Sequence, residues 1–95
     1  MMKAIWNHTV IAQSDDIVEH EGVSYFPLGS LVKAHVRSSS TNTVCPYKGM
    51  ASYYDIVVAG QVNRDAIWTY THPTARATAI RDRVAFWRGV TLTPD

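Results

Sequence analysis

The feature that most constrains this chain is a series of short apolar and polar alternations, each interrupted by a residue pair suited to a tight turn. The stretches "KAIW" and "TVIAQS" flank Asn7-His8, and the stretches "IVEH" and "VSYF" flank Glu21-Gly22. Asparagine and glycine tolerate the positive φ of two-residue hairpin turns, so each pair predicts an antiparallel hairpin. Four strands within about 25 residues predict an antiparallel meander.

The middle of the chain contains its strongest strand pattern, "MASYYDIVVAG". Side chains alternate between the two faces of a strand, so Tyr53 and Tyr54 are expected on opposite faces. Ala59-Gly60 predicts the next turn, and "QVNRDAIWTY" predicts one or two further strands. Two flanking segments look less regular: "PLGSLVKAHV" predicts a helical turn capped by Ser30, and "RSSSTNT" predicts a polar, mobile loop.

From Thr74 onward the period of the apolar residues changes from that of a strand to that of a helix. The residues that recur at i, i+3, i+7 and i+10 are Ala77, Ile80, Val84 and Trp87. This spacing places them on one helical face, with Thr74 as the N-cap and Gly89 at the end. A run of strands followed by one helix, at about residues 74–88, is typical of a mainly β or α+β fold.

Composition limits the number of domains and the kinds of partner. A chain of 95 residues, 46% of them hydrophobic, has enough apolar side chains for one core, so we expect a single domain over residues 1–95. The net charge of +1 lacks the basic excess of nucleic-acid-binding domains. No apolar run approaches the roughly 18–20 residues that span a bilayer, and the N-terminus lacks the apolar core of a secretory signal. We therefore expect a soluble, cytoplasmic protein without nucleic-acid or membrane partners.

Neither a metal nor a cofactor is expected. The single cysteine, Cys45, fits a reducing compartment and excludes both an internal disulfide and a C-x-x-C site. The histidines lie in separate segments without ligand spacing: His8, His20, His35 and His72. The sequence also has no P-loop and no G-x-G-x-x-G fingerprint.

Four segments together resemble one known family. In order and spacing, "WNHTVIAQSDD", "YFP", "CPYKGMASYYDI" and "AIWTYTHPTARATAIRDRVAFW" are similar to the domain of unknown function 427 family. The chain departs from the family pattern at His8, where a glycine is usual, and at His72, which precedes the proline. The resemblance implies a compact antiparallel sheet or barrel-like β domain closed by one C-terminal helix. It implies little about activity, because the family is functionally uncharacterised.

The family sometimes carries the label nucleotidyltransferase, which the residues do not favour. Polymerase-type transfer needs clustered carboxylates that hold Mg²⁺. In the known pattern they follow a glycine-serine pair closely, yet the first acidic residue after Gly29-Ser30 is Asp55.

The segment "CPYKG", Cys45-Pro46-Tyr47-Lys48-Gly49, is the main candidate site. A Pro-x-x-Gly turn brings the Lys48 ammonium back toward the Cys45 thiol, and a nearby cation promotes the reactive thiolate. His72 is a candidate base, although no third catalytic member is evident. The alternative is structural, because a lone cysteine usually behaves as a small buried hydrophobe and proline with glycine makes a tight corner.

Three hypotheses therefore stand. The favoured one is a domain that binds an unknown small molecule or anion at the CPYKG turn, with Tyr53 or Tyr54, Trp68 and His72. The second is an enzyme with Cys45 as nucleophile, assisted by Lys48 and His72. The third is an interaction module that forms a homodimer through an exposed strand edge.

Overall fold

The computed structural model describes residues 1–94. Nine strands account for most of them: β1 Met2–Trp6, β2 Thr9–Ser14, β3 Val18–His20, β4 Val23–Pro27, β5 Val36–Cys45, β6 Gly49–Val58, β7 Gln61–Thr69, β8 Arg83–Phe86 and β9 Thr91–Pro94. Three short 3₁₀ helices lie between strands, over Leu28–Ser30, Lys33–His35 and Ala75–Ile80. In the part of the chain that the structure describes, no helix is long and apolar enough to cross a membrane.

The strands form two antiparallel sheets. One has the order β2-β1-β9, and the other has the order β3-β4-β8-β7-β6-β5. Because strands account for most of the described residues, the mainly β class is confirmed. Both sheets are open rather than closed into a barrel, so the barrel-like alternative is wrong. The two N-terminal hairpins are also confirmed, but they lie in different sheets and do not form one meander. Strand β9 explains the difference, because it pairs with β1 and gives the first hairpin its own sheet.

The predicted turn pairs adopt the left-handed backbone that two-residue hairpins require. Their φ angles are 52° and 58° at Asn7-His8, 51° and 78° at Glu21-Gly22, and 50° and 78° at Ala59-Gly60. A fourth pair, Arg88-Gly89, has φ angles of 55° and 83° and lies between β8 and β9. Gly89 therefore belongs to a turn between strands and does not end a helix.

The predicted helix at residues 74–88 is wrong. A 3₁₀ helix covers Ala75–Ile80, and the chain then turns at Asp82, whose φ is 56°, before it enters β8. Strand β8 lies between β4 and β7 and hydrogen bonds to both. These long-range partners satisfy the backbone groups that a helix would have satisfied locally. Thr74 makes no side-chain capping bond.

Two further local predictions are wrong, each for its own reason. The stretch "RSSSTNT" is not a loop but part of β5, where its backbone pairs with β6 on both sides of an irregularity between Ser38 and Asn42. Ser30 is not an N-cap, because it is the last residue of its 3₁₀ turn and its hydroxyl donates to the Pro27 carbonyl at 2.7 Å.

The six-stranded sheet has a hydrophobic cluster on each face. The first cluster joins this sheet to the three-stranded one and includes Ile11, Phe26 and Ile67. The second includes Tyr25 and Tyr70 and is covered by the 3₁₀ helix through Ala77 and Ile80. Neighbouring residues alternate between the clusters: Tyr53 packs against the second, and Tyr54 packs against the first, as predicted.

Candidate binding site

The CPYKG segment forms the hairpin turn between β5 and β6. The Lys48 backbone N–H donates to the Cys45 carbonyl at 3.2 Å, and Cys45 is paired with Gly49 at the ends of the two strands. Gly49 has a φ of 108°, and a β-carbon built there would lie 3.1 Å from the His72 carbonyl oxygen. Glycine is therefore required both by the backbone conformation and by the close approach of a second segment.

That second segment is anchored to the turn by Thr74. The Thr74 backbone N–H donates to the Lys48 carbonyl at 3.0 Å, and its hydroxyl donates to the Tyr47 carbonyl. Two consecutive carbonyl groups of the turn are thus held by one residue. This arrangement fixes the backbone from which the Lys48 side chain extends.

Lys48 is the single cation of the turn, and its side chain is largely enclosed. Its side chain is 16% exposed, and its Nζ forms an ion pair with Glu21, 3.3 Å from Oε1. Burial on its own lowers the pKa of Lys48, but the Tyr25 hydroxyl and the Glu21 carboxylate outweigh it and raise that pKa above its ordinary value. The side chain therefore stays an ammonium at neutral pH.

Several aromatic rings contact one another at the second hydrophobic cluster, on the same side of the sheet as Lys48. Trp68 Nε1 donates to the hydroxyl of the fully buried Tyr25 at 3.4 Å, and the two rings meet edge to face with centroids 6.5 Å apart. Trp68 also meets Trp87 edge to face at 6.1 Å. Tyr53 pairs with Trp68 across β6 and β7, and its hydroxyl shares a hydrogen bond of 2.9 Å with Thr43. These contacts fix the ring orientations.

The rings and the lysine together line a surface cavity of about 230 Å³. Its lining residues are Lys48, Tyr53, Trp68, Tyr70 and Trp87. Burial raises the pKa of Tyr70, with smaller contributions in the same direction from Tyr25, Cys45 and Tyr53, while Lys48 opposes them. Tyr70 therefore keeps its proton at neutral pH, so its hydroxyl retains a hydrogen to donate.

A second cavity of about 230 Å³ is also lined by Lys48. It is lined by His20, Glu21, Tyr47, Lys48, Arg76 and Ala77. The Arg76 guanidinium lies 5.7 Å from the centre of the Tyr47 ring. Among residues 1–94, Lys48 is thus the one residue that lines both cavities.

The side chains of the three candidate catalytic residues have different partners in the structure. Cys45 is half-buried and packs against the second hydrophobic cluster. The exposed His72 ring lies with Nδ1 3.2 Å from the Thr71 hydroxyl, and Lys48 pairs with Glu21. Across residues 1–94, no hydrogen bond or ion pair joins the Cys45 thiol to the side chain of Lys48 or His72. Catalysis by Cys45 stays a prediction without an assembled set of partners.

Of the residues predicted for the site, the structure brings Lys48, Tyr53 and Trp68 together at one cavity. Tyr47, 62% exposed, borders the second cavity, and Tyr54 lies on the opposite face of the sheet. His72 contributes its backbone carbonyl next to Gly49, as described above.

The prediction missed Glu21, Tyr25, Tyr70 and Trp87. Strand alternation from Trp68 would have placed Tyr70 on the same face, two residues along the chain. No comparable local signal was available for Glu21 or Tyr25, because strand β4 and its turn come from a distant part of the sequence. Within the described residues, no three His, Cys, Asp or Glu side chains are grouped so that they could hold a metal ion.

Comparison with known proteins adds the family and nothing about activity. No curated protein matches this sequence. The sequence profile of one family, described as "Domain of unknown function (DUF427)", matches residues 1–92 and so covers nearly the whole chain. The chain therefore belongs to the DUF427 family.

Proposed function

We propose that this protein binds a small, flat, mostly apolar molecule with an anionic oxygen group in the cavity beside Lys48. The observation that carries the proposal is the meeting of one enclosed ammonium with four aromatic side chains at a single cavity. Ligand sites in proteins are typically apolar and aromatic, with a few polar groups that orient the ligand.

The aromatic side chains define the shape of the ligand. Trp68 is held edge-on between Tyr25 and Trp87, so its ring stands as a wall of fixed orientation. Trp87 is 44% exposed and has the Arg88 guanidinium 4.4 Å from its ring centre. The cavity volume of about 230 Å³ is below the roughly 300–1,000 Å³ of sites for drug-sized ligands. A single ring with a short substituent matches that size.

Lys48 defines the polar group of the ligand. An ammonium has three N–H donors, and in the structure the Lys48 ammonium forms an ion pair with one carboxylate, that of Glu21. One carboxylate does not use all three donors, which leaves N–H groups of Lys48 for an oxygen of the ligand. Because Glu21 already neutralises much of the charge, the lysine acts mainly as a directed donor, and a carboxylate forms the stronger, charge-assisted bond.

The test is a titration with benzoate, followed by the three tryptophan indole N–H signals in ¹H–¹⁵N NMR spectra. Trp68 and Trp87 line the cavity, whereas Trp6 packs against the other hydrophobic cluster and serves as an internal control. We expect saturable shifts of the first two signals and none of the third. For a fragment of this size the Kd should be in the millimolar range, given about −0.3 kcal/mol or somewhat better per heavy atom.

Lys48→Met separates the two parts of the proposal. Loss of a charge-assisted hydrogen bond should weaken benzoate binding about tenfold and leave the binding of benzyl alcohol nearly unchanged. Tyr54→Phe is the matched control, because Tyr54 lies on the opposite face and lines a different cavity. Equal shifts of all three indole signals, or shifts that never saturate, would refute a specific site.

A further inference from the structure

A second site is indicated where two irregularities of the large sheet lie side by side. The pairing of β5 with β6 is interrupted between Ser38 and Asn42, and the pairing of β6 with β7 is interrupted between Tyr54 and Ile56. Asp55 lies at the second interruption and is paired with Arg37 of β5. Such bulges redirect side chains and are common next to functional sites.

The buried Asp55 carboxylate holds the two irregularities together. Its Oδ1 accepts the Asp65 backbone N–H at 2.9 Å, and its Oδ2 accepts Arg37 Nε–H at 3.0 Å. Asp65 has a φ of 53°, and its own Oδ2 accepts the Thr41 hydroxyl at 2.9 Å. Both carboxylates are therefore engaged by donors of the protein itself.

A cavity of about 380 Å³ opens at this point. Its lining residues are Arg37, Ser38, Ser39, Ser40, Thr41, Asp55, Arg64 and Asp65, none of which lines the aromatic cavity. Arg37 binds Asp55 through Nε alone, which leaves both terminal nitrogens of its guanidinium for another acceptor. Arg64 is exposed, and among residues 1–94 neither its guanidinium nor the Ser38 and Ser40 hydroxyls form a hydrogen bond within the protein.

We propose that this cavity binds a phosphate group, either inorganic or carried by a phosphomonoester. The donors that remain for a ligand are the terminal nitrogens of Arg37, the Arg64 guanidinium, and the hydroxyls of Ser38 and Ser40, and all of them can donate to phosphate oxygens. Arginine is suited to this role because its planar fork donates two parallel hydrogen bonds to one phosphate. A divalent cation fits less well, since Asp55 and Asp65 already accept hydrogen bonds inside the sheet.

The local electrostatics determine the charge state of Asp55 in this cavity. Burial raises the pKa of Asp55, but the Asp65 N–H and the neighbouring Arg37 and Arg64 outweigh it, so the pKa lies below its ordinary value. Asp55 is thus a fixed anion that positions Arg37 and does not compete for its terminal nitrogens. A dianionic phosphate would replace solvent around the Arg37 guanidinium, which Asp55 already orients, and around the exposed Arg64 guanidinium.

The experiment is an amide ¹H–¹⁵N NMR titration with inorganic phosphate at constant ionic strength, with chloride as the reference salt. We expect saturable shifts confined to residues 37–41 and 64–65. Parallel titrations with phenyl phosphate and with inorganic phosphate distinguish the two sources of the phosphate group. Tighter binding of phenyl phosphate would indicate an esterified ligand, and equal or tighter binding of inorganic phosphate would indicate free phosphate.

Three variants test the assignment. Arg64→Gln should weaken phosphate binding about tenfold, as expected when one charged hydrogen-bonding partner is lost. Arg37→Gln should weaken it at least as much, and thermal unfolding of this variant reports whether its sheet is intact. Arg81→Gln removes an exposed arginine that does not line the cavity and should leave binding unchanged.

Three results would overturn the proposal: shifts that do not saturate, an equal loss of binding in Arg81→Gln, or shifts of the same amides by Mg²⁺ without phosphate. Because the lining residues differ from those of the aromatic cavity, failure here leaves the benzoate result unaffected.

Discussion

Replacing Gly49 with alanine tests the packing that holds Lys48 in place. The new β-carbon would lie 3.1 Å from the His72 carbonyl oxygen, and this backbone atom cannot move aside as the end of a side chain can. The φ of 108° adds a second cost, since residues with a β-carbon rarely adopt it. The backbone strain is of order 1–3 kcal/mol, and the crowding adds about 1 kcal/mol, so the free energy of unfolding should fall by about 2–4 kcal/mol.

Gly60→Ala is the matched control. Gly60 also has a positive φ, 78°, but no atom lies within 4 Å of a β-carbon placed there. This variant should lose only the backbone term, about 1–2 kcal/mol. For a domain of this size each kcal/mol corresponds to a fall in Tm of about 4–8 °C. The difference between the two variants therefore measures the contact between the turn and the segment that contains His72.

Urea unfolding followed by tryptophan fluorescence gives both free energies. In folded protein, the indole signals of Trp68 and Trp87 should also shift in Gly49→Ala and not in Gly60→Ala, because only the first change displaces the turn that carries Lys48. If the two variants lose equal stability and neither signal moves, then the close approach at Gly49 does not position the lysine, and that part of the reasoning is refuted.

Three further measurements test other contacts. Asp55→Asn should lower the free energy of unfolding by about 1–3 kcal/mol at pH 7. Because the pKa of Asp55 is lowered in the fold, this difference should shrink as the pH falls below about 4 and the native carboxylate is protonated. A difference that stays constant with pH would contradict the assignment. Cys45 should be alkylated more slowly in the folded protein than in urea, at a rate that Lys48→Met does not change; a rapid reaction that depends on Lys48 would instead support an activated thiol. Thr74→Val removes the hydroxyl that donates to Tyr47 and should cost about 0.5–1.5 kcal/mol in urea unfolding, with an unchanged midpoint as the contrary result.

The turns could be predicted from the sequence because their chemistry is local. A two-residue hairpin needs positive φ at its centre, and the glycine in pairs such as Glu21-Gly22 and Ala59-Gly60 indicates such a turn directly from the sequence. Alternation within one strand is equally local, so the opposite placement of Tyr53 and Tyr54 was also predictable. Neither signal indicates to which sheet a hairpin belongs. The pairing of β1 with both β2 and β9 could not be predicted from the local sequence.

The helix prediction failed because the apolar spacing had two separate causes. Ala77 and Ile80, three residues apart, lie on a 3₁₀ helix and pack on the second cluster, whereas Val84 lies on β8 and packs on the first. Their combined spacing imitates a single helical face. The chain changes from 3₁₀ helix to strand at Asp82, and the following residues form a strand because β8 pairs with the distant strands β4 and β7.

The same error concealed part of the candidate site, because the expected position of Trp87 depends on the secondary structure assigned to it. On a helix it would share a buried stripe with Val84, and it would have no role beyond packing. In the structure Ala85 is paired with Trp68 across the sheet, and Trp87 follows two residues later, where strand alternation returns it to the same face. Its ring accordingly meets Trp68 edge to face and remains 44% exposed at the cavity. In this domain the non-local pairing of one short strand, β8, therefore determines both how β4 is joined to β7 in the sheet and where one wall of the cavity lies. A site prediction from sequence requires that pairing first.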